Sequence, residues 1–188
     1  MRRRVFGIAV CGAALVVAVV CRPTPLSATD ALPGFTGKTV ASGAFADFQV
    51  FNQVTRKALP PGFDGSVWLS MQKTQGPSDV FIQSNTWTAV DAATGAVTAS
   101  TGWHAHPGHS LIIITSGMVT EYEADCTPRI YGPGSPLGAT LVDPGGDHVH
   151  LIRNEGLVAA TGFAVQITPH GAARRNNAAA PDSCPAMY

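Results

Sequence analysis

Short strand-like runs fill most of the sequence and set the strongest limit on its fold. From Ala46 to about Ile167, apolar and β-branched runs of mostly four to nine residues alternate with turns rich in Gly, Pro, Ser and Asn. No apolar stripe with a 3.6-residue period is long enough for a major helix. This pattern predicts an all-β sandwich or barrel. The predicted strands lie at about residues 46–50, 67–69, 80–82, 86–88, 97–98, 102–106, 111–115, 118–122, 129–131, 140–142, 148–152 and 159–167.

The two ends of this region lack the pattern. Residues 29 to about 45 are rich in Gly, Ser and Thr without clear periodicity, so no strand is predicted there. The tail, residues 171–188, is predicted to be an extended strap. A chain of 188 residues suits a single domain. We therefore expect one domain over residues 29–188, with a barrel core at about 46–170.

The first 28 residues predict a secretion signal. Arg2, Arg3 and Arg4 precede an unbroken apolar run over residues 5–20, and a proline-containing stretch then ends at Ala28. A basic start, an apolar centre and a small residue before the cut are typical of such signals. We expect cleavage after Ala28 and an extracytoplasmic protein. An uncleaved membrane anchor is the alternative, although the run is shorter than a usual span.

A lipoprotein attached through Cys21 fits less well, because bulky Val20 precedes that cysteine. Cleavage after residue 28 also removes four of the 12 basic residues and none of the 12 acidic ones, which leaves a formal charge of −4. A mildly acidic chain without a basic run is a poor partner for nucleic acid or an anionic membrane. We therefore expect no nucleic acid and no stable membrane insertion after cleavage.

Cys126 and Cys184 are the cysteines that remain after cleavage. Two cysteines in an exported chain most simply form one disulfide, here between the chain end and a loop after the central strands. Two free thiols are the alternative. Neither cysteine has the Cys-x-x-Cys spacing of a metal site.

Five of the six histidines fall in two groups between residues 104 and 150. Residues two apart on a strand point to the same face. His104 and His106 are therefore predicted to point inward together, and His148 and His150 have the same geometry on their own strand. Two such pairs could bring three or four imidazoles to one metal ion. Imidazole by itself does not choose among Fe, Mn, Zn, Ni and Cu.

Both histidine groups lie in segments that resemble the two sequence motifs of the cupin superfamily. Residues 102–117, GWHAHPGHSLIIITSG, are similar to a His-x-His strand followed by Glu and, six residues later, by Gly. Residues 138–154, GATLVDPGGDHVHLIRN, are similar to a motif in which Pro-x-Gly precedes a His that lies four residues before an Asn. The resemblance covers about residues 80–170 and extends to small secreted single-domain cupins.

The resemblance implies a double-stranded β-helix, or jelly-roll, barrel with a metal ion in its mouth. His104, His106 and His150 fall at the ligand positions, and His109 or His148 could add a nitrogen. Some cupins, the thiol dioxygenases among them, are similar in using three histidines without a Glu.

Two departures from the motifs bear on the site. Ser110 occupies the Glu position, where a serine is a poor ligand, and a Ser110→Glu substitution is expected to restore the carboxylate. One extra residue separates Pro144-Gly145-Gly146 from His150, so the register depends on Asn154. A different register would make His148 the third ligand.

Other polar and aromatic residues are expected to have structural roles. Glu121 and Glu123 are predicted to be solvated strand positions, Trp87 and Trp103 core or rim aromatics, and Asn154 a residue that fixes a loop by hydrogen bonds.

Fold does not decide function, since one scaffold can carry unrelated chemistries. We expect a secreted metal-binding cupin with one divalent transition metal and a small-molecule ligand or substrate. The first hypothesis is a mononuclear metal enzyme of the dioxygenase, isomerase or lyase type. The second is a non-catalytic protein that binds a metal or small ligand outside the cell, and the third is a barrel whose histidines are merely hydrogen-bonded. The sequence leaves open whether the protein forms a homodimer.

Overall fold

The computed structural model describes residues 28–55, 59–63, 65 and 67–184, and all regular secondary structure in these ranges is β-strand. The predicted signal falls outside the described residues except for Ala28. No helix among the described residues is long and apolar enough to cross a membrane. The strands are β1 (Phe35–Phe45), β2 (Gln49–Thr55), β3 (Val67–Lys73), β4 (Ser78–Trp87), β5 (His104–Ala105), β6 (Ser110–Ser116), β7 (Val119–Tyr122), β8 (Arg129–Tyr131), β9 (Thr140–Asp143), β10 (Leu151–Arg153), β11 (Ala160–Pro169) and β12 (Asn176–Asn177).

One wall of the barrel is an antiparallel five-stranded sheet in the order β1-β4-β11-β6-β9. Its inner strands show the two-residue alternation of a half-buried strand. In β6, for example, Ser110, Ile112 and Ile114 are buried and the residues between them are exposed. The opposite wall is the three-stranded antiparallel sheet β10-β7-β8. Strands β2 and β3 form a separate hairpin.

The interior of the barrel is divided into an apolar and a polar part. The apolar core joins side chains of both sheets, namely Trp87, Ala99, Ile112, Ile114, Val119, Leu141, Ile152, Ala160 and Ala164. Further along the same inward faces, adjacent strands contribute buried polar side chains instead, namely Gln83, Asn85, Ser110, Asp143, Gln166 and Thr168. Buried polar groups need partners or ligands. The polar part is therefore where a site would lie.

The tail forms a strap that packs against the barrel through two short pairings. Strand β12 pairs with β5, and Ala179 forms a bridge to Ala28. Cys184 is bonded to Cys126, with a Cα–Cα distance of 5.7 Å, as predicted. A second apolar cluster lies beneath this strap and contains Trp103, Tyr122, Leu151, Ala180 and Cys184.

The all-β prediction is confirmed, but several strand predictions are wrong. The predicted strands at 80–82 and 86–88 are parts of the single strand β4, and the strand predicted over 148–152 begins only at Leu151, so His148 lies outside it. Strand β1 runs through residues 35–45, where no strand was expected, because nearly all of this edge strand is exposed and it carries no alternation. Residues 97–98 form no strand. The Thr98 carbonyl accepts a hydrogen bond from the Gly34 amide of a loop instead of joining a ladder.

Candidate metal centre

Backbone pairing between the two motifs brings the histidines together. The amide of His104 donates to the carbonyl of His150 and the amide of His150 to that of His104, each at 2.9 Å. The two imidazole centroids lie 4.5 Å apart. The His106 ring is 4.7 Å from that of His104 and 5.7 Å from that of His150. All three residues are buried, with exposed fractions of 5% or less.

Each of the three rings is oriented by a hydrogen bond at Nδ1. His104 Nδ1 lies 2.8 Å from the Gly102 carbonyl and His106 Nδ1 lies 2.8 Å from the Arg174 carbonyl. His150 Nδ1 lies 3.0 Å from a carboxylate oxygen of Glu121. Because carbonyls and carboxylates only accept, the neutral rings of His104 and His150 carry their proton on Nδ1 and the lone pair on Nε2. His106 Nδ1 also lies 3.1 Å from the amide nitrogen of Gln166, which can only donate, and its shorter contact with the Arg174 carbonyl favours the same tautomer.

The Nε2 side of the rings fits a metal ion. The ligating atoms of His104, His106 and His150 lie within 4.8 Å of one another. His150 Nε2 is buried and has no hydrogen-bond partner in the described part of the chain. Ligand histidines in metal sites usually donate their other nitrogen to a carboxylate or carbonyl, as all three do here. The donor set therefore suits a transition metal.

Burial also keeps two of these rings neutral, which is the state that binds a metal. It lowers the pKa of His104 well below the ordinary value, and the nearby His150 and Arg175 lower it further. Burial lowers the pKa of His106 to about 4, although the hydrogen bond to the Arg174 carbonyl opposes this.

A carboxylate from the neighbouring strand lies where the motif has Ser110. Ser110 faces Asp143 across the β6–β9 ladder, and its hydroxyl donates to Asp143 Oδ2 at 3.4 Å. Both side chains are fully buried, and the same Oδ2 lies 4.0 Å from His106 Nε2. Sequence reasoning did not single out Asp143. Ser110 meets residue 143 because of the sheet register, which the sequence does not show. The one signal in the sequence was that Asp143 directly precedes Pro144 of the second motif.

The expectation that Glu121 is solvated is wrong. Only 3% of this residue is exposed, and its carboxylate accepts the hydrogen bond from His150. All four residues of β7 are buried, because its two faces are covered by the barrel core and by the strap cluster. Glu123 is half-buried and pairs with Arg129 and, at 3.4 Å, with His148.

Of the two additional histidine candidates, His109 lies apart from the three rings, whereas the His148 ring centroid is 5.8 Å from that of His150. His148 is half-buried and lies 3.4 Å from Asp143 Oδ1. Together with Asp143 and His150 it forms a second group whose ligand atoms lie within 4.8 Å of one another. His109 lines a different cavity, beside Ser78 and Thr168.

Two features hold the motif loops in register. Asn154 is fully buried, and its amide nitrogen donates to the Val158 carbonyl at 2.8 Å while its oxygen accepts from the Gly156 amide at 2.8 Å. This is the loop-fixing role that was predicted. Gly145 has a positive φ of 74°, and a Cβ there would overlap the main chain of Gly108. Only glycine therefore lets the second motif approach the loop after His106.

A cavity of about 90 Å³ opens beside the three histidines. Strand residues such as Gln83, Asn85 and Trp87 line it, together with Arg174 and Arg175 of the strap. Trp87 is buried as expected, but its indole nitrogen faces no partner among the described residues.

Comparison with known proteins gives distant structural likenesses only. No family model matches the chain, and no curated protein matches it. Similar solved structures include a cupin-like protein from Thermotoga maritima, with 18% identity and a TM-score of 0.41, over 54% of this chain and 65% of the other. The facing sheets, and the two motifs that meet at His104 and His150, decide the fold. The chain has a cupin fold.

Two further structures extend the cupin comparison. An uncharacterized protein with a double-stranded β-helix domain from Klebsiella pneumoniae has 16% identity and a TM-score of 0.39, over 54% of this chain and 70% of the other. A sugar phosphate isomerase of the cupin superfamily from Silicibacter pomeroyi has 18% identity and a TM-score of 0.36, over 47% of this chain and 50% of the other. The matched region thus spans 50% to 70% of these three chains, and the likeness concerns the cupin fold alone.

Proposed function

We propose that this cupin is secreted and holds one divalent transition metal through His104, His106 and His150, next to a cavity for a small organic molecule. The observation that carries the proposal is the shared orientation of three buried imidazoles, each with its Nδ1 occupied by an acceptor. A metal bound here would act as a Lewis acid or redox centre.

The chain's own residues would fix the ligands and exclude water. Glu121 and the carbonyls of Gly102 and Arg174 hold the rings in one tautomer. Asp143 places a buried carboxylate 4.0 Å from His106 Nε2, so that a carboxylate is available although the motif position is Ser110. Ser110 and Gln166 share a hydrogen bond of 3.1 Å beside it.

Zinc titration of the metal-free protein tests the site. We expect one zinc ion per chain and at least a hundredfold weaker binding in His104→Ala, because three imidazoles become two. His148→Ala is the matched control and should change the affinity less than threefold. Circular dichroism and a denaturant melt of each metal-free variant establish that the barrel is intact.

The same pair of variants separates the two candidate groups of ligands. If the ion belonged to Asp143, His148 and His150, then His148→Ala would abolish binding and His104→Ala would not. That result would refute the proposed ligand set. If the unaltered chain bound no zinc, the result would favour the third hypothesis, a barrel whose histidines are merely hydrogen-bonded.

A non-catalytic binding protein remains the second candidate function, because a metal site beside a cavity would serve a binding protein as well as an enzyme. Export is tested separately, by mass spectrometry of protein recovered outside the cytoplasm. A chain that begins near Thr29 supports the predicted cleavage, and one that retains Met1 or a lipid on Cys21 contradicts it.

A further inference from the structure

The outer face of the five-stranded sheet is apolar and open to solvent. Six large apolar side chains on it have exposed fractions between 36% and 64%, namely Ile82, Leu111, Ile113, Val142, Phe163 and Val165. An antiparallel sheet that packs one face on the core normally carries polar residues on its other face. The composition of this face is therefore unusual for a surface that is left to water.

The strand register joins these side chains into one patch. Directly opposed residues form a row across β9, β6, β11 and β4, namely Val142, Leu111, Val165 and Ile82. Ile113 opposes Phe163 in the adjacent row. The outward positions of these four strands carry no charged side chain. The patch is thus continuous as well as apolar, which in soluble proteins marks an interaction site.

A second exposed apolar face belongs to the hairpin β2–β3, which we call the arm. The arm continues from the end of the β1–β4 pair, where the Thr74 amide donates to the Phe48 carbonyl at 3.0 Å and the Phe48 amide to Thr74 Oγ1 at 3.1 Å. Its two strands pair with each other and with no other strand of the described chain. An isolated two-stranded hairpin is at best marginally stable in water. The arm therefore needs a surface to pack on.

One side of the arm is suited to such packing. Opposed residues of an antiparallel pair share a face. Phe51 opposes Met71, and Val67 and Leu69 lie on the same face. These four side chains have exposed fractions between 43% and 70%. The one charged residue on this face of the two strands, Lys73, lies at the base of the arm.

We propose that the protein forms a two-fold homodimer in which the arm of each copy packs on the outer sheet face of the other. One chain carries two uncovered apolar faces, and a second copy supplies each with the other, as a two-fold interface requires. The sheet face has no charge to repel its own copy or to select an oppositely charged partner. The arm does not cover its own sheet, since both faces are exposed in the single chain.

The dimensions of the two faces agree with a dimer contact. Two strands of seven residues measure about 10 Å by 24 Å, and four strands of the sheet measure about 19 Å across. A reciprocal contact buries the flat area of the arm, about 240 Å², on both the arm and the sheet of each copy. Because side chains stand above this plane, the accessible area per copy approaches the roughly 600 Å² at which specific interfaces begin.

Sedimentation equilibrium of the mature protein tests the proposal. We expect a dimer at micromolar concentrations and a dissociation constant at least tenfold higher in Ile113→Lys, because a lysine there buries an unpaired charge in the contact. Leu69→Lys on the arm should act in the same way. Ile130→Lys is the matched control, since Ile130 is 46% exposed in β8 of the opposite wall against 52% for Ile113, and it should leave the constant unchanged. Circular dichroism and a urea melt of each variant establish that the barrel is intact.

Cross-linking distinguishes the arm from other occupants of the sheet face. Cys126 and Cys184 are bonded, so Met71→Cys and Leu111→Cys each add one free thiol to the mature chain. A short bis-maleimide should convert a mixture of these two variants to covalent dimer far more efficiently than either variant alone.

Several results would overturn the inference. A monomer at micromolar concentrations would do so, as would an undiminished dimer in Ile113→Lys or an equal loss in Ile130→Lys. If Leu111→Cys cross-linked to itself better than to Met71→Cys, the two sheets would face each other and the arm would not be the cover. A monomer that bound phosphatidylcholine vesicles, and lost this binding in Ile113→Lys, would assign the face to a membrane instead.

Discussion

Replacing Glu121 by Gln should weaken metal binding although residue 121 touches no ion. The Glu121 carboxylate lies 3.0 Å from His150 Nδ1, and the exposed fractions of the two residues are 3% and 0%. The ionised carboxylate fixes the Nδ1–H tautomer and makes Nε2 a stronger donor to the metal. Gln keeps the size and an acceptor oxygen but removes the charge.

The loss expected from such an outer partner is about 10–100-fold in metal affinity. At 1.4 kcal/mol for each factor of ten, this corresponds to roughly 1.4–2.8 kcal/mol of binding free energy. The pair is almost entirely buried, so little of the effect is screened by solvent and the upper half of that range is expected.

The assay is competitive zinc titration against a chromophoric chelator at pH 7.5, with the unfolding free energy of each metal-free variant measured in parallel. Glu123→Gln is the matched control, because Glu123 is half-buried two residues away and pairs with His148 and Arg129 instead. An unchanged zinc affinity in Glu121→Gln would refute the argument, as would an equal loss in Glu123→Gln.

Two further perturbations test the fold around the site. Ser110→Glu should not restore a metal ligand. Because Ser110 is fully buried against Asp143, a second carboxylate there should destabilise the fold. In a urea melt we expect the unfolding free energy to fall by at least about 2 kcal/mol. Ser116→Glu, at an exposed position of the same strand, should stay within about 0.5 kcal/mol, and an equally stable Ser110→Glu would contradict this reasoning. Reduction of the Cys126–Cys184 bond, which closes a loop of 58 residues, should cost about 4 kcal/mol of stability by the chain-entropy relation. Equal melts with and without reductant would show that the bond does not act on the unfolded chain.

Local patterns in the sequence were enough to predict several features. The all-β class follows from strand-length apolar runs, because a strand reports its buried face every second residue. The prediction that His104 and His106 point to the same face rests on the same two-residue period. The pairing of Cys126 with Cys184 follows from their being the cysteines outside the predicted signal, and Asn154 was assigned its loop contacts from its place in the second motif.

Only the tertiary structure decided which groups meet across the barrel. Asp143 lies beside Ser110 through the β6–β9 register, Glu121 reaches His150 through the β7–β10 pairing, and Arg175 arrives from a tail without strand pattern. β7 carries no alternation because both of its faces are covered. A strand's own period fixes which face a side chain takes. Register between strands that are tens of residues apart depends on packing of the whole barrel, and no local window of sequence contains it.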